Sequence, residues 1–233
     1  MDTLLPRFDA MGIEVQLVTS AVRPIPISWS RLSNLHLAVS VDGLPPEHNP
    51  RRFPADYGRI LRNIKGHKVN IHCVILPSML LRPDYLKDFA DFWSNLTATK
   101  KIWFSLYTPQ KGENSEERLT LEERTRAINA ISHLKKDFPK VQAPGIILDG
   151  YRHPPPSPHD CIFAQTTACF SPDLKTPVIP CQIGGRPVCS ECGCFASAAL
   201  ASIARFKLAG IVKLGDLFKL SQRIGCKFHP IQY

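Results

Sequence analysis

The chain is predicted to be an α/β protein built on a parallel sheet and followed by a small cysteine-rich α+β region. Three observations predict this. From Ile13 to Asp149, apolar and β-branched runs alternate with stretches of helical period, the order of right-handed βαβ units. A proline run, Pro154-Pro155-Pro156 and then Pro158, interrupts that order and makes a stiff linker. Beyond it, six of the eight cysteines crowd between Asp160 and Cys194. The expected division is residues 1–150 for the α/β part and residues 151–233 for the linker, the cysteine-rich region and the C-terminal helices.

Taken in order, Asp2 to Met11 forms the tail of a helix closed by Gly12, a residue suited to the position just past a helix end. Ile13 to Thr19 alternates and is β-branched, the pattern of a strand. After Pro24 and Pro26, Leu35 to Val41 is almost continuously apolar, which suits a strand covered on both faces. Asp42-Gly43 ends it as a turn. Tyr57, Ile60, Leu61 and Ile64 recur at the helical period. Val69 to Leu76 is the next strand, stopped by Pro77, and Pro83 opens a helix carrying Leu86, Phe89, Trp93 and Leu96 on one face. Lys101 to Tyr107 is a further strand. Thr120-Leu121-Glu122-Glu123 is a capping box, and Leu121, Ile128, Ile131 and Leu134 continue its helix to Phe138. Gly145 to Asp149 is expected as a short last strand. Two helices, Phe195 to Lys207 and Leu214 to Ile224, close the chain.

Composition bounds the function. With 233 residues, 44% hydrophobic and 21% charged, the chain can bury an ordinary globular core. No apolar run reaches the length of about 18 residues that a membrane-spanning helix needs, so no membrane partner is expected. Twenty-nine Lys and Arg against 20 Asp and Glu give a charge of +9, which favours anionic partners. From Phe195 onward the only acid is Asp216, against Arg205, Lys207, Lys213, Lys219, Arg223 and Lys227. Lys219, Arg223 and Lys227 recur every four residues as one helical stripe, read first as a solvated face and second as a nucleic-acid contact. The chain holds no phosphate-cradling glycine loop, no Gly-x-Ser-x-Gly elbow and no His-Glu zinc helix.

The chemistry is expected in the cysteines: Cys161, Cys169, Cys181, Cys189, Cys192 and Cys194. Met1 to Arg7 lacks the charged and apolar regions of a signal peptide, so a reducing cytoplasm is expected, where clustered cysteines are metal ligands more often than disulfides. Zinc takes four thiolates, usually from two Cys-x2-Cys pairs. Only Cys189 and Cys192 make such a pair, and Cys161, Cys169 and Cys181 stand singly. An iron–sulfur cluster accepts ligands from several loops. Spacing leaves both metals open, with buried free thiols as the bland alternative. Cys226 is a candidate late ligand. Cys73 in its strand is expected to be inert, and His36 and His72 to be packed or hydrogen-bonded within theirs. Asp42 either caps its turn or bonds a ribose. Arg152 and His153 lie just beyond Asp149-Gly150, where a strand end would open on a site.

Parallel βα units, a proline linker and a cysteine-rich tail together resemble the later part of a radical S-adenosylmethionine enzyme with a C-terminal auxiliary-cluster region of the SPASM or Twitch kind. Ser40-Val41-Asp42-Gly43 is similar to that family's Ser-x-Asp-Gly at a barrel strand end, and Thr19-Ser20 stands where the family often has Thr-Asn-Gly. Cys161, Cys169 and, after eleven residues, Cys181 look like its cysteine-rich hairpin, with Thr176 where a Gly is usual. Cys189-x2-Cys192 resembles its downstream pair. The resemblance implies a partial parallel (β/α) barrel of radical SAM type. It also implies a cofactor surface at Thr19, Ser20, Ser40 and Asp42 and an auxiliary 4Fe-4S cluster held by four of the six cysteines. An intact relative would cleave S-adenosylmethionine to a 5′-deoxyadenosyl radical and modify a peptide or small-molecule substrate. The family's Cys-x3-Cys-x2-Cys and Gly-Gly-Glu-Pro runs do not occur here. The expectation is therefore a truncated frame, a degenerate paralogue or one half of a split enzyme, inactive alone and open to a second chain that completes the barrel. The other reading is a zinc-stabilised structural module that contacts nucleic acid through its basic tail.

Overall fold

The computed structural model describes residues 1–228, and within residues 222, 223 and 225–228 the backbone only. Two compact units emerge. Met1–Ser105 with Asn129–Gln142 form the first, and Leu106–Ile128 with residues 143 onward form the second. The expected boundary after residue 150 thus falls inside the second unit.

In the first unit, α1 (Leu4–Ala10) precedes β1 (Val15–Thr19) and β2 (Leu35–Ser40). Then come α2 (Pro45–Arg52), α3 (Tyr57–Asn63), β3 (Val69–Ile75), α4 (Tyr85–Ser94) and β4 (Thr99–Leu106). The sheet runs β1-β2-β3-β4. β1 lies parallel to β2, with Thr19 opposite Val39, and β2 parallel to β3, with Ser40 opposite His72. An α/β fold with a parallel sheet is therefore present. Leu37, Val39, Ile71, Cys73, Ile75, Ile102 and Phe104 are buried along these strands, as are Ile60, Phe89 and Trp93 on α3 and α4. Phe89 meets Phe104 with ring centroids 5.8 Å apart and Trp93 meets Tyr57 at 5.4 Å. Burying each such side chain contributes about 1.5–3 kcal/mol. β1 is an edge strand, and Val18 on it is 56% exposed.

The helical period of Tyr57, Ile60 and Leu61 forms α3, which Asp56 caps by accepting a bond from the Arg59 amide at 2.8 Å. Local signals also hold at α5 (Leu121–Asp137), where Glu123 accepts from the Thr120 amide at 2.8 Å and Thr120 from the Glu123 amide at 3.2 Å. Helix α2 escaped the sequence reading because Pro45, Pro46 and Pro50 suggest a turn. Two prolines fit the first helical turn, where no amide partner is needed, and the buried His48 side chain pins the helix, accepting from the Asp42 amide at 2.9 Å.

Gly145 to Asp149 corrects the expectation of a last strand. These residues belong to a helix, α6 (Gly145–Arg152), with Pro144 at its N-cap. A short apolar run does not distinguish strand from buried helix by period alone. Here Ile147, Leu148, Gly150 and Tyr151 share the buried side. The neighbour β4 does gain is a single parallel bridge from Val141 to Ile102.

The second unit continues with α7 (Ile162–Thr166), α8 (Phe195–Arg205), a two-stranded ribbon of β5 (Lys207–Leu208) and β6 (Val212–Lys213), and α9 (Leu214–Phe228). α6 presses on α8 so closely that a Cβ on Gly150 would stand 1.9 Å from the Ala198 carbonyl oxygen. Asp149, expected at a strand end, instead accepts from Ser202 at 3.1 Å and pairs with Arg205, tying the same two helices. Among the described residues no helix is long and apolar enough to cross a membrane.

Candidate metal centre

The cysteine-rich segment is held by the chain that enters the second unit. The Leu106 amide donates to the Gly193 carbonyl at 3.0 Å, and the Gly193 amide to the Thr108 hydroxyl at 2.9 Å. Val188 donates to the Pro109 carbonyl and Lys111 to the Arg186 carbonyl, each at 2.8 Å. These contacts fold residues 186–194 back along residues 106–111. A 3₁₀ turn, Cys189–Glu191, then aims Cys189 and Cys192 together, the Cys192 amide reaching the Cys189 carbonyl at 3.0 Å. Cys194 is the N-cap of α8, Cys161 that of α7, and Cys181 opens a turn closed by Gly184 at 2.8 Å.

Five cysteines meet there. Cys161, Cys181, Cys189, Cys192 and Cys194 line one narrow cavity of about 20 Å³, room for about one water molecule. The remaining wall is largely apolar, from Pro158, Phe163, Ala164, Pro180, Ile183 and Pro187, with Thr108 and Ser197 as its hydroxyls. Cys169 is not among the lining residues. It sits half-buried at the base of the expected hairpin, present as one antiparallel bridge from Phe170 to Pro177. Asp173, not a glycine, makes that turn, accepting from the Lys175 and Thr176 amides at 2.9 Å each. All six are free thiols among the described residues. Cys226 lies on α9, and its side chain is outside the described residues, as are those of Arg223 and Lys227 in the basic stripe.

Burial and the neighbouring sulfurs raise Cys181, Cys189 and Cys194. Desolvation pushes up Cys181 and Cys189, Cys192 and Cys161 raise both further, and Cys169 also raises Cys181. Cys161, Cys181, Cys189 and Cys192 therefore form a mutually repelling set if ionised, a state that a cation relieves. Cys194 is also raised, chiefly by burial, yet its sulfur is already served by the Ser197 and Ala196 amides and by Gln182 Nε2 at 3.1 Å. Among the described residues no three His, Cys, Asp or Glu side chains close on a single point. The thiols surround a space instead.

Arg124, which the sequence reading passed over, braces this loop from α5. Its guanidinium is buried and donates to the Tyr151 carbonyl at 3.2 and 2.9 Å, the Glu191 carbonyl at 2.9 Å and the Cys192 carbonyl at 2.6 Å. Burial lowers its pKa, and the neighbouring Cys192 opposes that fall. Nothing in the local pattern marks Arg124. Gly193, by contrast, was legible as the spacer between two candidate ligands.

In the first unit, the residues expected to face a cofactor share the C-terminal ends of β1 and β2. Thr19 ends β1 and accepts from the Ala21 amide at 3.0 Å, with Ser20 next to it and Ser40 at the end of β2. Asp42 is buried, and its carboxylate accepts from Arg51 Nε at 2.9 Å and Arg52 Nε at 2.7 Å. Burial alone would raise this carboxyl, but the two guanidiniums outweigh it and hold it below its ordinary value of 3.8. A group held this way contributes stability that is complete above that ordinary value and is lost as the pH falls through the lower, folded one. Asp42→Asn is expected to cost about 2–3 kcal/mol at neutral pH. Urea melts of wild type and variant should converge as the pH is lowered towards 3; an undiminished gap in acid would assign the cost to something other than the ion pair.

The other single residues keep modest roles. His36 pairs with Glu14 at 2.6 Å and His72 with the Ser105 hydroxyl at 2.8 Å. Cys73 is fully buried, which drives its thiol far above the ordinary range and leaves it inert. Arg152 ends α6 and His153 caps it, so neither follows a strand end, and the His153 carbonyl accepts from Arg205 at 2.7 Å. Compared with protein-family models, with curated proteins and with solved structures, the chain matches none.

Proposed function

We propose that the second unit is a thiolate-ligated module for a 4Fe-4S cluster, beside a first unit that is part of a (β/α) barrel of the radical S-adenosylmethionine type. The observation that carries this reading is the convergence of Cys161, Cys181, Cys189, Cys192 and Cys194 on one apolar cavity. A zinc ion needs four sulfurs each about 2.3 Å from a single point, whereas a cluster spreads its thiolates over several irons. Five sulfurs arriving from separate turns, with no three of them on one point among the described residues, suit the cluster. Cys161, Cys181, Cys189 and Cys192 are the preferred ligands, the first buried and the other three half-buried. Such a group, when bound, exchanges single electrons at a potential set by ligands, hydrogen bonds and burial.

The sheet supports the partial barrel. Strands in sequential order with crossovers of the usual hand carry their helices on one face, as in a barrel and unlike a doubly wound sheet, whose order reverses. Thr19, Ser20 and Ser40 then stand at the strand ends where barrel sites form. Asp42 supports that surface through Arg51 and Arg52 in place of offering a free carboxylate. A substrate, peptide or small molecule, and a second chain on the β1 edge belong to this reading, as does a reducing cytoplasm that leaves thiols free for metal.

The test is anaerobic purification followed by a visible absorption spectrum and analysis for iron, sulfide and zinc. A brown protein with a broad visible band and about four irons per chain is expected. A colourless protein holding about one zinc would replace the cluster by a structural knuckle, and would bring the basic tail forward as a nucleic-acid contact with salt-dependent affinity.

A further inference from the structure

We propose that Arg124 is the positioning residue of the thiolate site and its fixed positive charge, an inference that rests on the metal reading above. Its guanidinium reaches three carbonyls from two directions: Tyr151 at the end of α6, and Glu191 and Cys192 in the turn that presents two of the thiols. Those contacts fix the carbonyl side of the Cys189–Cys192 turn, and so the direction in which Cys192 points.

Position alone does not require a cation, because a neutral amide can also donate to a carbonyl. The charge is what needs explaining. Arg124 is 7% exposed, and its acceptors are uncharged backbone oxygens. Among the described residues no carboxylate lies within ion-pair distance of it, and the nearby Glu191 carboxylate is paired with Arg118. A buried charge is costly unless an opposite charge stands near, and of the groups that favour this one Cys192 acts most strongly, ahead of Tyr151 and Glu191. The Cys192 carbonyl, 2.6 Å away, is bonded to the residue that carries a candidate thiolate. Four thiolates around a cluster leave the site net negative, and a guanidinium fixed behind one of them offsets that charge in a medium that screens little. Adding an electron makes the site more negative still, so the same cation favours the reduced form.

The experiment compares Arg124→Lys with Arg124→Gln in the full chain. Both lose the three-carbonyl brace, and only the first keeps the charge. Each protein is reconstituted anaerobically with ferrous iron and sulfide, assayed for iron and sulfide retained, and titrated with dithionite for its reduction potential. The Lys variant should retain more cluster than the Gln variant. Its reduction equilibrium should lie nearer to wild type, the Gln variant being displaced towards the oxidised form by tenfold or more, about 59 mV for one electron. If the two variants behave alike, whether both hold the cluster at one potential, both lose it or both unfold, the charge has no part and the inference fails. A wild-type chain that takes up no cluster would instead sink the metal reading on which the inference stands.

Discussion

Replacing Cys192 by Ser is expected to abolish the cluster binding proposed for the second unit, lowering iron retention by more than about 100-fold, beyond what loss of a supporting contact costs. Cys192 closes the 3₁₀ turn, lines the cavity, and acts on the thiols of Cys181, Cys189 and Cys194. A serine hydroxyl preserves the shape and removes the soft ligand. Cys161→Ser, Cys181→Ser and Cys189→Ser should follow it. Cys169→Ser, outside the cavity, and Cys73→Ser, buried in β3, should leave iron at the wild-type level. Iron and sulfide analysis of the six anaerobic preparations decides the matter. Full iron in Cys192→Ser, or a loss in Cys169→Ser as large as in Cys181→Ser, would overturn the proposed ligand set.

Gly193→Ala should be as damaging without touching a ligand. A Cβ at this position would stand 1.9 Å from the Leu106 carbonyl oxygen and 2.3 Å from its carbon. Both are backbone atoms, so no side chain can swing aside. The Gly193 carbonyl and amide are also committed, to the Leu106 amide and the Thr108 hydroxyl. Relief therefore requires breaking the contact that folds Cys192 and Cys194 against residues 106–108. The expected cost is about 3 kcal/mol, with metal retention falling in parallel because the two flanking cysteines move apart. Chemical denaturation of the metal-free protein, read beside iron content, separates the effects. An Ala variant with unchanged stability would mean that the approach of residue 193 to Leu106 is looser than described.

Much of the chain up to α5 was legible because its determinants are local. The period of Phe89 and Trp93, the capping box at Thr120 and Glu123, and the apolar runs at Leu35 to Val41 and Val69 to Leu76 each point to one element, and those elements form. Gly145 to Asp149 was misread because Ile146-Ile147-Leu148 is too short to carry a period. Its identity came from Pro144 ahead of it and from the surface of α8 behind Gly150. α2 was missed for the opposite reason. Its prolines argue against a helix, and a buried histidine and a buried aspartate outweigh them.

By itself, then, the amino-acid order determined the alternation of strands and helices and singled out six cysteines after the proline run as the place for chemistry. It could do so because hydrophobic period, caps and residue type act within a few positions. Only the tertiary structure decided which thiols share a cavity, that Cys169 is not one of them, and that Arg124, 65 or more positions from the turn it braces, stands behind Cys192. The physical reason is that a ligand set and its counter-charge are defined by distance in space. Residues 106–111, Arg124 and residues 181–194 come within bonding range only once the chain has folded back on itself.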